Sequence, residues 1–414
     1  MTVFKDERAG ADYWLARSSD EILLSEDERR GINRHIRERS SSLTDLGAFP
    51  ALLGAEEVRE MILSAQQFFC RATTPGEHFD KDGEPIGQAD YDKAKQNCNF
   101  AALRKKTSVR YALTLRRVNL RLLPARQNYF DLRDFRHYDD LQGTALDPAE
   151  PLIVLHESRD CDFVFALARY YEGWVKRENI VFTDRAAWEK YVEPEHFLTV
   201  TANKILINCG DEQLLFQMGG VLPVDDADGG RVYLPRRVEG KFSEWRGQVC
   251  PGENLRRGWL PCTSRNFVCQ AFKFLGDVYG WGGMEESVDC SSFVGNIYRS
   301  MGLEIPRDAD WQETGMPYSV DLRNLSAEKR RLRLIDAPTG ALLFKPGHVM
   351  MYLGRDEGGT PTVIHALSSY FTFENGRGEK HYHRRVTVSD LHLKNSQNID
   401  AIDTLTSIGY FRRY

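Results

Sequence analysis

Residues 279–294, Tyr-Gly-Trp-Gly-Gly-Met-Glu-Glu-Ser-Val-Asp-Cys-Ser-Ser-Phe-Val, decide how the last third of this chain is interpreted. A glycine-rich loop changes at Asp289 into the start of a predicted helix. Cys290 stands between a carboxylate and two hydroxyl groups, whereas a structural cysteine prefers an apolar core. Because a helix N-terminus stabilises an anion, a cysteine there can have its pKa lowered from about 8.5 to between about 3.5 and 7.5. Cys290 is therefore a candidate nucleophile.

A nucleophilic thiol needs a base, and the base needs a group that orients it. His348 begins a predicted strand after Lys-Pro-Gly, and His365 lies in the next predicted strand. If the connection 355–361 is a hairpin centred near 357–358, His365 is a diagonal neighbour of His348 on the same face, about 7–8 Å away at Cα. A lone cysteine or histidine is most often structural, but this combination predicts a Cys290–His348–His365 catalytic set.

The residue pattern changes twice along the chain, and the resulting segments predict a multidomain α+β protein. Residues 1–105 indicate a helical N-terminal domain, with a capping box at Ser25–Glu28. Two sets of short alternating strands follow, over 106–183 and 184–262, each typical of a small barrel. Residues 263–414 place helices before an antiparallel sheet, an α+β layout.

Composition excludes several classes of protein. The 414 residues are 42% hydrophobic and 28% charged with a net charge of −5, which is typical of a soluble protein of two to four domains. No long basic run favours nucleic acid as a partner, and no apolar run is long enough to cross a bilayer. The first residues lack a basic segment followed by an apolar one, so we expect either a cytosolic protein or a leader removed earlier.

Eight cysteines are dispersed without a Cys-x-x-Cys pair. This spacing makes a zinc site improbable. A disulfide framework is not expected either, because large domains do not need one for stability. The sequence still allows one or two disulfide bonds, with Cys250 and Cys262 as the nearest plausible pair.

The motifs resemble those of the NlpC-type cell-wall cysteine peptidases, which have a papain-like fold. The resemblance rests on YGWGGMEESVDCSSFV, IPRDADWQ, ALLFKPGHVMMYLG and VIHA. It implies that Cys290 is the nucleophile, that His348 is the base and that His365 orients the base. Ser292 stands where the family has a glycine. The implied mechanism requires neither a metal ion nor an organic cofactor.

Two SH3-like barrels before the peptidase domain resemble the γ-D-glutamyl-L-diamino acid endopeptidases. These enzymes cut stem peptides of peptidoglycan, L-Ala-γ-D-Glu-diamino acid, and prefer a free N-terminal L-alanine. A free ammonium group needs a nearby carboxylate, and we expect Asp289 to supply it with Ser291 beside it. The resemblance adds Tyr170, Tyr171 and Asp139 of the first barrel as candidate walls of the cleft.

Two other functions are compatible with these residues. One is an N-acetylmuramoyl-L-alanine amidase, and the other is a wall-binding protein whose peptidase domain is inactive. The substrate favours the cell envelope or periplasm as the location, whereas a cytoplasmic role in recycling fits if Met1 is the native start. The residues leave open the preferred diamino acid, the oligomeric state and whether the barrels bind wall polymer.

Overall fold

A computed structural model of the protein describes residues 3–40, 42–72 and 77–412, and the side chains of all these except 67–72. Short helices come first, antiparallel sheets follow, and helices with a final sheet complete the chain. The predicted multidomain α+β class is confirmed. No helix in these ranges has both the length and the apolar character needed to cross a bilayer.

Helices dominate the N-terminal region. The hydroxyl of Ser25 accepts a hydrogen bond from the backbone N–H of Glu28, whose carboxylate accepts one from the N–H of Ser25, so the predicted capping box is confirmed. The two short strands of this region pair with each other and not with the sheets that follow. The elements are α1 (Ala11–Leu15), α2 (Glu26–Arg39), β1 (Leu52–Gly54), α3 (Ala55–Ala72), α4 (Gln88–Asn97) and β2 (Lys106–Ser108).

The buried side chains of the N-terminal region are divided between two cores. Phe4 and Trp14 belong to the core of the C-terminal domain. Val58 and Ile62 pack in the core of the β-domains. The backbone N–H of Phe4 also donates a hydrogen bond to the carbonyl of Val388, at 3.0 Å. The first residues of the chain are therefore built into the structure of the C-terminal domain.

Seven antiparallel strands form the first β-domain. They are β3 (Arg110–Thr114), β4 (Val118–Arg121), β5 (Gln142–Leu146), β6 (Pro151–Glu157), β7 (Phe163–Leu167), β8 (Glu172–Lys176) and β9 (Ile180–Thr183). Their order in the sheet is β5-β4-β8-β7-β6-β3-β9. The rings of Phe165 and Trp174 meet in the core with centroids 5.5 Å apart. The loop 122–141 leaves this sheet and reaches the C-terminal domain, where the carbonyl of Asp139 accepts a hydrogen bond from the indole of Trp281 at 3.1 Å.

The second β-domain follows a short helix, α5 (Arg185–Val192). Its strands are β10 (Phe197–Val200), β11 (Lys204–Cys209), β12 (Glu212–Gln217), β13 (Val221–Asp225), β14 (Arg231–Val238), β15 (Lys241–Gly247) and β16 (Leu255–Arg257). Five of them form a sheet of order β15-β14-β13-β10-β16, and β11 pairs with β12 in a separate hairpin. The side chain of Asn203 donates a hydrogen bond to Asp277 at 2.9 Å, which ties this domain to the C-terminal one.

The C-terminal domain packs helices against a six-stranded sheet of antiparallel pairs. Its elements are α6 (Ser264–Phe272), α7 (Cys290–Ser300), α8 (Ala309–Gly315), β17 (Tyr318–Asp321), α9 (Ala327–Ile335), β18 (Leu342–Lys345), β19 (His348–Arg355), β20 (Pro361–Glu374), β21 (Arg377–Asp390), α10 (Ala401–Thr404) and β22 (Ser407–Tyr410). The sheet order is β17-β22-β18-β19-β20-β21. Phe293, Val294 and Ile297 of α7 are fully buried in the same core as residues of β19 and β20. This packing holds the start of α7 against the start of β19.

The cysteines form no bridge among the side chains that the structure describes. Seven of them are free, including Cys250 and Cys262, the pair that the spacing left open. Cys70 lies outside the described side chains.

Candidate active site

Asp289 caps α7, and Cys290 is the first residue of the helix. The carboxylate of Asp289 accepts a hydrogen bond from the N–H of Ser292 at 2.9 Å, and the hydroxyl of Ser292 accepts one from the N–H of Asp289 at 2.9 Å. The predicted helix start is confirmed. The N–H of Cys290 is one of the first-turn donors that have no acceptor within a helix, so it is available to a ligand.

The sulfur of Cys290 lies near the hydroxyl of Tyr279 and the backbone N–H of Val349. Cys290 is buried, with 7% of the residue exposed. Val349 directly follows His348, so the first residues of β19 lie against the thiol.

Burial disfavours the thiolate of Cys290. It raises the pKa of Cys290 to about 12, and the charge of Asp289 acts in the same direction, against the nearby N–H of Val349. The lowered pKa expected from a helix N-terminus is not found here. Removing water from the sulfur disfavours the thiolate more than the helix end favours it.

The two histidines meet across neighbouring strands. Met351 pairs with Ile364, and continuing that register brings His348 and His365 to diagonal positions. The Nε2 atom of His348 lies 2.8 Å from Nδ1 of His365, so the contact predicted from the hairpin is confirmed. Nε2 of His365 in turn lies 3.1 Å from the hydroxyl of Ser389 on β21. The imidazoles therefore form a continuous line of hydrogen bonds into the sheet.

The direction of these hydrogen bonds decides whether a base is present. If Ser389 accepts a proton from Nε2 of His365, then Nδ1 of His365 accepts one from Nε2 of His348. Nδ1 of His348 then keeps its lone pair. The opposite direction would place a proton on that nitrogen and remove the base. A basic Nδ1 on His348 therefore requires Ser389 to act as an acceptor.

Burial disfavours the protonated form of both imidazoles. Burial lowers the pKa of His348 well below its usual value, and its neighbours His365 and Lys345 lower it further. Burial also lowers the pKa of His365 to about 3, again with a contribution from Lys345. Burial therefore favours the neutral forms of the thiol and of both imidazoles.

Arg307 joins the polar groups around the helix start and is 7% exposed. Its guanidinium donates hydrogen bonds to the carboxylate of Asp289 and to the hydroxyl of Ser291. It also donates to the hydroxyl of Thr144 at 3.2 Å and to Asp308 at 3.2 Å. Although burial raises the pKa of Asp289, the charge of Arg307 and the capping hydrogen bonds bring that pKa below its usual value. Asp289 is therefore ionised and paired.

Asp308 is the accessible carboxylate of this cluster. Its side chain is 44% exposed, and its φ of 70° is unusual for a residue with a side chain. The hydroxyl of Tyr171 lies near this carboxylate and lowers its pKa. Burial raises the pKa of Asp308, opposed by Arg307 and reinforced by the charge of Asp289. The first β-domain and the C-terminal domain thus build this carboxylate site together.

The structure brings together most, but not all, of the residues expected at the site. Tyr171 lies at the Asp308 carboxylate. Tyr170 lies under the guanidinium of Arg299, whose Cζ atom is 4.7 Å from the centre of the Tyr170 ring. Both Tyr170 and Arg299 line a cleft between α2 and the β-domains. Asp139 is 1% exposed and accepts a hydrogen bond from Arg121 at 2.9 Å, inside the first β-domain. Its carboxylate does not face the cleft.

Sequence reasoning missed four residues of the site: Tyr138, Tyr279, Arg307 and Ser389. The ring of Tyr138 lies 6.0 Å from that of Tyr279. Tyr279 and Arg307 stand inside the quoted motifs, so their presence there was a usable signal. No sequence signal pointed to Ser389, because only the pairing of β21 with β20 brings this residue to His365.

No group of three or more histidine, cysteine, aspartate or glutamate side chains is placed to hold a metal ion in the described part of the chain. The side chains gathered at the site are a thiol, an imidazole pair, and a guanidinium with two carboxylates.

Comparisons with known proteins identify two domains in the chain. Residues 276–390 match the NlpC/P60 family, and residues 130–176 match the SH3 domain of the SH3b1 type. The chain thus carries an NlpC/P60 domain, with an SH3b domain before it. A solved NlpC/P60 endopeptidase from Photobacterium damselae subsp. piscicida superposes with a TM-score of 0.79 at 16% identity, over 97% of each chain. The fold is therefore shared along nearly the whole length.

Two curated proteins are similar to part of the chain. Dipeptidyl-peptidase 6 of Lysinibacillus sphaericus is 24% identical over 221 residues, which cover 50% of this chain and 74% of that protein. A gamma-D-glutamyl-L-lysine dipeptidyl-peptidase of Bacillus cereus (strain ATCC 10987 / NRS 248) is 26% identical over 190 residues, which cover 44% of this chain and 54% of that protein. The match to the second relative thus spans about half of its length.

Proposed function

We propose that this NlpC/P60-domain protein is a cysteine endopeptidase that hydrolyses the γ-D-glutamyl–diamino acid bond of peptidoglycan stem peptides. The observation that carries the proposal is the His348–His365 pair at the start of β19, where the next residue, Val349, lies near the sulfur of Cys290. The solvent-exposed carboxylate of Asp308 belongs to the polar cluster around the same helix start. The name of the Bacillus cereus relative, a gamma-D-glutamyl-L-lysine dipeptidyl-peptidase, supports the bond that is cut. Action at the cell envelope or on peptides released from the wall follows from that substrate.

The reaction begins with proton transfer from the thiol of Cys290 to Nδ1 of His348 as the sulfur attacks the γ-carbonyl carbon. A carbon–sulfur bond forms, and the carbonyl oxygen becomes an oxyanion that the free N–H of Cys290 can stabilise. His348 then gives the proton to the amine of the diamino acid as the carbon–nitrogen bond breaks. Water attacks the resulting thioester, with His348 as base, and the thiol is restored.

The free ammonium group of the N-terminal L-alanine would bind at Asp308. Asp289, which the sequence suggested for this role, already accepts hydrogen bonds from Ser291 at 3.1 Å and from the N–H of Gly282 at 3.0 Å, in addition to the contact with Arg307. We assign to Asp289 the task of holding Arg307. Asp308, with an exposed carboxylate beside the hydroxyl of Tyr171, is free to contact the substrate.

Mass spectrometry of the products tests the proposal. The tripeptide L-Ala-γ-D-Glu-diaminopimelate and intact sacculi are incubated separately with the full chain and with the Cys290→Ala variant. We expect L-Ala-D-Glu and free diaminopimelate from the tripeptide, and no products with the variant. Release of uncut stems from sacculi, with an untouched tripeptide, would instead identify an amidase. Binding to sacculi without any cleavage would identify an inactive wall-binding protein.

A further inference from the structure

Lys345 faces the candidate active site from the strand next to His348. It is the last residue of β18, His348 is the first of β19, and the two are directly paired across the turn formed by Pro346 and Gly347. Paired residues in an antiparallel ladder point to the same face, with Cβ atoms about 4.5–5.5 Å apart. The ammonium group therefore shares the cleft with the base.

The electrostatics of the site place the same ammonium group near the nucleophile. Lys345 interacts with Cys290, and its charge is among the causes that lower the pKa values of His348 and His365. Burial lowers the pKa of Lys345 itself, opposed only by Cys290. One cation therefore acts on all three members of the candidate catalytic set.

Lys345 differs from the other cation of the site in having no protein partner. Arg307 contacts two carboxylates and two hydroxyl groups. For Lys345, no carboxylate within ion-pair distance and no hydrogen-bond acceptor is found among the residues that the structure describes. A partly buried ammonium group that has lost water without gaining a counterion is unfavourable in the free protein. A ligand carboxylate would supply the missing partner.

We propose that Lys345 is a specificity residue whose ammonium group binds a substrate carboxylate next to the scissile bond. This inference depends on the proposed function. The stem peptide offers two such carboxylates: the α-carboxylate of the γ-linked glutamyl residue, and the α-carboxylate of the diamino acid. Their shared chemistry suits a charge-assisted hydrogen bond to Nζ. Amidation of the recognised carboxylate would remove the charge and leave the ammonium group unpaired in the complex.

Three tripeptides separate the two sources of the carboxylate. One carries both acids, one has the glutamyl α-carboxylate amidated, and one has the diamino acid α-carboxylate amidated. We expect the wild-type protein to cut one of the two amides about 10- to 100-fold less efficiently in kcat/KM than the diacid, the range of a lost charge-assisted hydrogen bond. The affected amide identifies which carboxylate Lys345 binds.

Variants connect this discrimination to Lys345. Lys345→Met should cut the diacid as slowly as the affected amide, whereas Lys345→Arg should keep the preference for the acid. Lys241→Met, on an exposed strand position of the second β-domain, is the matched control and should behave as wild type. Thermal unfolding checks that each variant is folded, and Lys345→Gln replaces the Met variant if that one is not.

Two results would overturn the inference. One is equal cleavage of all three tripeptides by the wild type. The other is a Met or Gln variant that is slower on every tripeptide but keeps the wild-type preference, since Lys345 would then act only on the pKa values of its neighbours. Failure of the wild type to cut any of the tripeptides would instead overturn the proposed function, and this inference with it.

Discussion

The Nε2 atom of His348 lies 2.8 Å from Nδ1 of His365, and the opposite nitrogen of His365 lies 3.1 Å from the hydroxyl of Ser389. The candidate base is therefore connected to β21, two strands away, through a second imidazole. A base on His348 requires both protons in this line to point towards Ser389. The hydroxyl is thus a positioning group that acts through His365.

Replacing Ser389 by alanine should lower kcat about 10-fold and leave KM unchanged, the scale of an outer-shell hydrogen bond that orients a histidine. Without the acceptor, His365 can adopt the other tautomer, which places the proton on the wrong nitrogen of His348. Ser389→Thr retains the hydroxyl and should retain activity. Steady-state kinetics on the tripeptide measure kcat and KM separately. A change confined to KM would contradict the tautomer argument.

Alkylation of Cys290 should become faster with pH well above 9, because burial raises the pKa of this thiol to about 12. Iodoacetamide labelling of the free protein, followed peptide by peptide, measures the rate at each cysteine. The exposed Cys161 and Cys250 are internal controls for access of the reagent. A plateau for Cys290 below pH 8 would show a thiolate–imidazolium pair in the resting protein instead.

The stability of the protein should fall as the pH is lowered from about 6.5 towards 3. The pKa of His365 is about 3 in the folded protein and near 6.5 in the unfolded chain. Between these values the unfolded chain binds the extra proton, so the free energy of unfolding decreases by up to about 1.4 kcal/mol per pH unit for this site.

Urea unfolding at several pH values measures this slope. His365→Asn, which cannot titrate, should show a smaller slope than the wild type, and the difference between the two proteins isolates the histidine. Identical slopes would show that His365 is not held neutral by burial.

Local patterns in the sequence were enough to predict the central elements of the candidate site. The helix start at Asp289 and the hairpin that joins His348 to His365 are each encoded within about twenty residues, so short-range rules locate them. Contacts between distant parts of the chain could not be found in this way. Tyr171 reaches Asp308 only because the first β-domain packs on the C-terminal domain.

The raised pKa of Cys290 also could not be predicted from the sequence. Polar neighbours such as Asp289 and Ser291 suggested an exposed, anion-stabilising position. The folded chain buries all three residues, with 7%, 5% and 3% exposure for Cys290, Asp289 and Ser291. Burial depends on the packing of whole elements, and here its cost to the thiolate exceeds the benefit from the helix end.

Asp308→Asn should weaken recognition of the free N-terminal ammonium group. On the wild type, acetylation of the substrate's alanine should lower kcat/KM by about 10- to 100-fold, because a charge-assisted hydrogen bond to Asp308 is lost. On the variant, the acetylated and free substrates should be cut with similar efficiency. Asp336→Asn, at an exposed position after α9, is the matched control. A variant that still discriminates fully would assign the ammonium group to another carboxylate.

Arg307→Ala should destabilise the protein by about 3–5 kcal/mol, the usual cost of leaving a buried charge unpaired. Asp289 is 5% exposed and would lose the cation that helps to bring its pKa below the usual value. The double variant Asp289→Asn, Arg307→Ala should recover part of this loss, because asparagine caps a helix nearly as well and carries no charge. Urea unfolding of the wild type, both single variants and the double variant gives the coupling energy of the pair.

The pH dependence of the Arg307→Ala variant provides an independent check. With the guanidinium removed, burial would raise the pKa of Asp289 in the folded variant above its value in the unfolded chain. The folded variant then binds a proton more readily than the unfolded chain, so the loss of stability should shrink as the pH falls through that raised pKa. The double variant has no carboxylate at this position and should lack this recovery. A loss that stays constant between pH 7 and pH 4, or a double variant no more stable than Arg307→Ala, would show that the guanidinium stabilises the fold mainly through Ser291 and Thr144 and not through Asp289.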